Sequence, residues 1–133
     1  MRTRRRLLAA AGTVALAGCS GGDAPDDRFR DRLTGAGVGI RALSVTSGAW
    51  VLEYLTTATS PEELRAGART VALAYAATVP GGDHRLDATA IADAEGAVGA
   101  EWAARGSWAR ANADGDLSAD DYVERIAADT DDF

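Results

Sequence analysis

Oxygen-bearing side chains crowd one short stretch near the carboxyl end of the 133-residue chain. Asn112, Asp114 and Asp116 alternate with small residues, and Ser118 and Asp121 follow closely. Carboxylate and amide oxygens spaced around a glycine are the ligands that Ca²⁺ uses in proteins, where it takes roughly six to eight oxygens. The chemistry open to this stretch is therefore the binding of a hard divalent cation.

The spacing resembles the loop of an EF-hand, with Gly115 as the turn glycine and Leu117 as the apolar plug. Two positions depart from that pattern. Arg110 stands where the first carboxylate belongs, and Asp121 is shorter than the bidentate glutamate that closes an EF-hand loop. The alternative is a tight Asp-Gly turn between two helices, with Ser118 capping the second helix. The sequence favours this turn and predicts no bound metal, and calcium binding stays the alternative.

The other reactive side chains are isolated. His84 is the only histidine, and it follows Gly-Gly-Asp in a segment typical of a surface loop, without the Cys or His partners of a zinc site. Asp83 and Asp87 are near His84 in sequence, so a proton-shuttling pair is conceivable. The sequence favours the alternative, an ordinary surface loop without a catalytic role. Cys19 is the only cysteine, and the chain has no Gly-x-Ser-x-Gly motif. The sequence therefore predicts neither an enzyme nor a dissociable cofactor.

Cys19 follows a segment built like a leader. The amino terminus opens with arginines and no acid, and the uncharged run from Leu7 to Ala17 is too short to span a bilayer core of ~30 Å. Leu16-Ala17-Gly18-Cys19 then resembles the lipobox of bacterial and archaeal lipoproteins. The resemblance implies that residues 1–18 are a signal peptide and that the Cys19 thiol carries a covalent lipid.

The arginines of this leader carry a second resemblance. From Thr3 the chain reads Thr-Arg-Arg-Arg-Leu-Leu, which is similar to the twin-arginine export motif Ser/Thr-Arg-Arg-x-Phe/Leu-Leu, with Arg4, Arg5, Leu7 and Leu8 in the signal positions. Consecutive arginines also suit the general secretory route, which stays the alternative. We expect twin-arginine export, a route that carries folded proteins.

The rest of the chain is strongly acidic. Residues 19–133 contain ten Arg, no Lys and twenty Asp or Glu, for a formal net charge of −10. Such a surface repels nucleic acid, so we predict no nucleic-acid partner. An acid excess without Lys resembles the proteins of halophilic archaea, and the resemblance implies that the domain loses structure when salt no longer screens its charges.

Two hairpins are predicted to form the framework. The first pairs residues 38–45 with residues 50–56 around a turn at Ser47-Gly48, because both runs are apolar and a two-residue turn ending in Gly suits a hairpin. Its pairs are Val45 with Trp50, Leu43 with Leu52 and Arg41 with Tyr54, and its core face carries Leu43, Val45, Trp50, Leu52 and Tyr54.

The second hairpin pairs residues 86–94 with residues 97–104 around a turn at Glu95-Gly96. Its predicted pairs are Ile91 with Ala100 and Thr89 with Trp102, and its core face carries Ile91, Val98, Ala100 and Trp102.

Helices fill the remaining segments. A short helix is predicted over residues 27–33, and a long one begins at Pro61 behind the capping pair Ser60 and Glu63 and stops at Pro80-Gly81-Gly82. Residues 106–113 also suit a helix, and a last helix begins after Ser118.

The order hairpin, helix, hairpin, helix predicts an α+β domain over residues 28–133. Its two hairpins are expected to form one four-stranded antiparallel sheet with the helices packed on one face. Residues 19–27, which are rich in Gly and Asp, are expected to be a flexible acidic tether between the lipid and the domain.

The whole chain looks like the small twin-arginine-exported lipoproteins of haloarchaea, while its folded domain resembles no characterised family. The resemblance implies a protein held by lipid on the extracytoplasmic face of the cell membrane. Because no catalytic set is present, we expect a non-enzymatic accessory or interaction protein with a membrane or cell-surface protein as partner. The alternative is an extracytoplasmic binding module for calcium or a small solute.

Overall fold

The computed structural model describes residues 25–46, 48–78, 84–93 and 95–130. The predicted signal peptide and export motif, Cys19 and the predicted stop at Pro80-Gly81-Gly82 lie outside these residues. The elements in chain order are α1 (Pro25–Gly35), β1 (Ile40–Val45), β2 (Ala49–Leu55), α2 (Pro61–Thr78), β3 (Arg85–Ile91), β4 (Val98–Arg105), α3 (Gly106–Ala113) and α4 (Ala119–Ala128).

The strands form one sheet in the order β1-β2-β3-β4. The predicted α+β class and four-stranded sheet are confirmed, but the prediction that the sheet is purely antiparallel is wrong, because β2 and β3 are parallel. α2 is the physical reason: at ~1.5 Å per residue, its 18 residues extend about 27 Å and return the chain to the end of the sheet where β2 began. β3 therefore starts with Arg85 beside Ala49 and runs in the direction of β2.

The first hairpin has the predicted register near its turn. Its pairs are Ile40 with Tyr54, Ala42 with Glu53, Leu43 with Leu52 and Val45 with Trp50. Arg41 is the extra residue of a β-bulge, so it does not face Tyr54 as predicted. Val45 is exposed and is not a core residue as predicted, because β1 is an edge strand that the helices only partly cover.

The predicted register of the second hairpin is wrong by one residue. Its pairs include Ala88 with Trp102, Thr89 with Glu101, Ala90 with Ala100 and Ile91 with Val98. The turn begins earlier than predicted because the carboxylate of Asp93 accepts hydrogen bonds from the backbone N–H groups of Glu95 and Ala97, both at 3.0 Å. Gly96 then takes a positive φ of 90°, and Val98, predicted to be buried, is exposed.

The helix starts follow the capping pattern of the sequence. The Ser60 hydroxyl accepts a hydrogen bond from the Glu63 N–H at 3.1 Å, and the Glu63 carboxylate accepts one from the Thr59 N–H at 2.7 Å. The Thr59 hydroxyl donates to the same carboxylate, and the two hydrogen bonds from Thr59 hold the pKa of Glu63 below its usual value. α1 begins at Pro25, so the last residues of the predicted tether 19–27 are helical.

The core lies between the helices and one face of the sheet. Phe29 of α1, Trp50 of β2 and Tyr75 of α2 form an aromatic cluster with ring centroids 5.5–5.9 Å apart. The Tyr122 hydroxyl of α4 donates to the Ala72 carbonyl of α2 at 2.9 Å, which fixes the two helices against each other. In the described part of the chain, the helices are too short or too polar to span a membrane.

Candidate functional site

The predicted calcium stretch forms the turn between α3 and α4. Gly115 has a positive φ of 84°, and the Asn112 side-chain amide donates to the Leu117 carbonyl at 3.0 Å, which closes the turn. The Ser118 hydroxyl then accepts a hydrogen bond from the Asp121 N–H at 3.0 Å and caps α4. The arrangement is that of the helix–turn–helix alternative.

The acids of this turn do not gather around one point. Asp114 is the residue that ends α3, while Asp120 forms an ion pair with Arg69 of α2 at 2.7 Å. Across residues 25–46, 48–78, 84–93 and 95–130, no group of three or more acids, histidines or cysteines is placed to hold a metal ion. Calcium binding through Asn112, Asp114, Asp116 and Asp121 stays a hypothesis without a geometric argument in its favour.

His84 lies against the core rather than in a free surface loop. Its ring contacts that of Trp50, with centroids 6.4 Å apart, and its carbonyl accepts a hydrogen bond from the Gly106 N–H at 2.6 Å. The Nδ1 atom of His84 is buried and has no hydrogen-bond partner in the described part of the protein. His84 therefore links the start of β3 to the start of α3.

A cleft of about 340 Å³ opens beside His84. We call it the charged cleft, and the residues that matter for its chemistry are His84, Arg85, Arg105, Gly106, Ser107 and Asp129. Arg85 and Arg105 are directly opposite each other on β3 and β4. The cleft thus lies between two arginines, His84, Asp129 and the first turn of α3.

The two arginines of the cleft have different partners. Arg85 binds the carboxylate of Asp87, with its Nε atom at 3.0 Å. Arg105 lies over the ring of Trp108, 5.4 Å from the centroid, and forms no ion pair with a carboxylate of the described residues. Arg105 is therefore the cation of the cleft that keeps its hydrogen-bonding capacity for an external group.

Gly106 is the residue that lets the cleft form. A Cβ atom at this position would lie 2.1 Å from the His84 carbonyl oxygen, well inside van der Waals contact. Only glycine allows β3 and α3 to begin this close to each other. The same close approach places His84 and Arg85 beside the amino terminus of α3.

The side of the sheet away from the helices is a second candidate surface, which we call the open face. Its exposed aliphatic residues are Val51 and Leu55, at 42% and 50% of their full exposure. Its charged residues are Arg41, Arg85, Arg105, Glu53, Asp87 and Glu101. Asp129 at the end of α4 also lines a shallow pocket on this face, so the formal charge of the face is −1, whereas residues 19–133 together carry −10.

Residues 21–131 match the model of a domain of unknown function, DUF8159. The chain belongs to the DUF8159 family. No curated protein and no solved structure matches it. The matched range includes all the described helices and strands, so the charged cleft and the open face are both features of the DUF8159 domain.

The sequence interpretation missed the charged cleft of this DUF8159 domain. Arg85 and Arg105 are 20 residues apart, and only the register of β3 and β4 brings them together. The predicted register would have placed Arg85 opposite Gly106 instead. The signal that could have found the pair is Asp93 followed by Gly96, which indicates a four-residue turn that shifts the pairing by one.

Proposed function

We propose that this DUF8159 protein is a non-enzymatic accessory protein, held by a lipid on Cys19 at the extracytoplasmic face of the membrane. Its partner is a membrane or cell-surface protein that binds the open face of the sheet. The resemblance of Leu16-Ala17-Gly18-Cys19 to a lipobox supports the anchoring. The observation that carries the interaction is the face of the sheet that the helices leave open to solvent around Val51 and Leu55.

Two aliphatic side chains of a central strand lie on the open face. A sheet with antiparallel pairs can leave one face to water, and polar residues usually occupy that face. Here the helices cover one face, and Val51 and Leu55 of β2 remain exposed on the other. A partner on this face would remove their apolar surface from water.

The charges of the open face also favour a protein partner there. An excess of negative charge over the rest of the domain repels the acidic surfaces that halophilic proteins share. On the open face Arg41 lies 3.8 Å from Glu53, and Arg85 binds Asp87, so these four charges balance in pairs. A partner with an apolar centre and mixed charges can therefore approach this face with less repulsion than elsewhere on the domain.

Site-specific crosslinking on intact cells at native salt tests this proposal. A photo-crosslinking amino acid at Val51 should give one recurrent adduct, and the same group at Arg32, an exposed residue of α1, serves as the control. Val51→Arg should abolish capture by a crosslinker placed at Leu55, because a guanidinium would enter the apolar centre of the contact. Equal adducts from Val51 and Arg32, or none from either, would contradict the proposal.

Anchoring has a separate test. Cys19→Ser should move the protein from the membrane fraction to the medium, because the thioether that holds the lipid can no longer form. Cys19 is the only cysteine, so the substitution leaves no other thiol to be acylated. A variant that stays with the membrane would show that another feature anchors the chain.

The second candidate function is an extracytoplasmic binding module for calcium or a small solute. The charged cleft is the observation that favours the solute version. The calcium version can be tested by titrating Ca²⁺ at constant ionic strength, since a ligand that binds only the native state must raise the melting temperature. An unchanged melting temperature would remove it.

A further inference from the structure

We propose that the charged cleft binds an oxyanion, the phosphate, sulfate or carboxylate group of a small ligand, between Arg105, Ser107 and the first turn of α3. Arg85 and His84 form the opposite wall. The cleft adjoins the open face and shares Arg85 and Arg105 with it. The anion titration below and the crosslinking at Val51 are different measurements, so each proposal can fail without the other.

The arginine pair of the cleft favours an anion. Arg85 and Arg105 face each other across β3 and β4, and like charges placed directly opposite in a sheet repel each other. Asp87 neutralises Arg85 from the side. Arg105 is left with an aromatic ring as its neighbour, and its planar set of donors suits two oxygens of one anion.

The start of α3 also favours an anion. The helices α1, α2 and α4 each have two acids in the first turn, whereas α3 has none, and no side chain caps it. The Gly106 N–H donates to the His84 carbonyl. The N–H groups of Ser107 and Trp108, the next two residues of the helix, have no backbone partner among the described residues. Free N–H groups at the positive end of a helix favour an anion.

Asp129 places a negative charge in the proposed anion site, and this charge provides a second test. It lines the same cleft but forms no ion pair with Arg85 or Arg105 within 4.0 Å. Its carboxylate must repel an anion in the cleft. The proposal thus predicts opposite effects for two neighbouring substitutions: Arg105→Gln weakens binding, and Asp129→Asn strengthens it.

The experiment is a titration of the full chain, purified in mild detergent, with sodium phosphate replacing sodium chloride at constant ionic strength. Tryptophan fluorescence is the readout, because Trp108 lies under Arg105 and Trp50 contacts His84. Saturable binding is expected, with Arg105→Gln weakening it about ten-fold through the loss of a charge-assisted hydrogen bond. Arg69→Gln is the matched control, since it removes the same charge at the contact of α2 with Asp120.

The outcomes separate cleanly. Binding that Arg105→Gln weakens, Asp129→Asn strengthens and Arg69→Gln leaves unchanged supports the site. Sulfate that competes while acetate does not identifies a tetrahedral oxyanion, and equal competition by acetate identifies a carboxylate. The proposal is overturned by a response that does not saturate, by an equal effect of Arg105→Gln and Arg69→Gln, or by Asp129→Asn weakening binding in protein whose circular dichroism is unchanged.

Discussion

Leu52 and Leu55 lie on the same strand, β2, and point to opposite faces of the sheet. Leu52 is fully buried under the helices, whereas Leu55 is half exposed on the open face. The covered face holds the large aromatic and aliphatic side chains, and the open face holds small residues and nearly balanced charges. The difference indicates that one face stabilises the domain, and the other is the face on which we propose the contact with a partner.

The largest expected effect comes from the same substitution on each face. Leu52→Ala should lower the free energy of unfolding by about 3 kcal/mol, because it leaves a cavity in a packed core. Leu55→Ala should cost less than about 1 kcal/mol, since half of its surface is already in water. Chemical denaturation at native salt measures both. An equal cost would show that the open face is part of the core.

A smaller effect is expected where the chain passes from the sheet to the helical layer. Gly106→Ala should destabilise the domain by about 2 kcal/mol, because the new Cβ forces β3 and α3 apart. Gly48→Ala is the control, as a Cβ there meets nothing within 4 Å and the glycine has no positive φ. If Gly106→Ala unfolds at the wild-type denaturant concentration, the close approach at His84 does not exist in solution.

A loss of stability at high pH is expected from Tyr75, which is buried on the covered face. Burial, with a contribution from Asp87, raises the pKa of Tyr75 from 10.0 to about 12. Because the folded-state pKa is the higher one, the stability linked to Tyr75 is complete below pH 10 and is lost as the pH rises towards 12. The melting temperature should fall over this range, and it should fall less in Tyr75→Phe.

Tyr75→Phe also has an expected result at neutral pH. The Tyr75 hydroxyl is buried and has no hydrogen-bond partner in the described residues. Its removal should therefore leave stability unchanged or slightly higher, since no hydrogen bond is lost. A large loss of stability at pH 7 would mean that the hydroxyl has a hydrogen-bond partner, which would then contribute to the raised pKa of Tyr75.

The smallest effect is expected from the ion pairs of the open face. Arg41 and Glu53 are 3.8 Å apart, and both side chains are more than two-fifths exposed. Glu53→Gln should change the free energy of unfolding by less than about 0.5 kcal/mol, because water screens such a pair. A cost above about 1.5 kcal/mol would show that charges on the open face stabilise the fold. Both faces would then contribute to stability.

The two hairpins show what the sequence can and cannot predict. The first was predicted correctly near its turn, where Leu43 faces Leu52, because its apolar alternation is strong on both strands. The second is rich in alanine, which fits either face, so its alternation does not fix the register. There the decisive residue is Asp93, whose carboxylate sets the turn through two backbone N–H groups.

The remaining differences arise from contacts between distant segments. The capping residues Ser60 and Ser118 act locally, so both helix starts were predictable. The parallel pairing of β2 with β3 depends on how α2 returns the chain, which no local pattern specifies. The charged cleft depends on that pairing and on the register of β4, so Arg105 could not be assigned to a site before the fold was known.

The early start of α1 at Pro25 sets the length of the tether in the proposed anchored protein. The six residues 19–24, at roughly 3.5 Å each, would reach about 20 Å at full extension. Confinement to so thin a layer would turn the encounter with the proposed partner into a two-dimensional search, and it would raise the effective concentration of a partner in the same membrane to around millimolar. A contact too weak to survive between free proteins in solution would then be enough to hold the pair together.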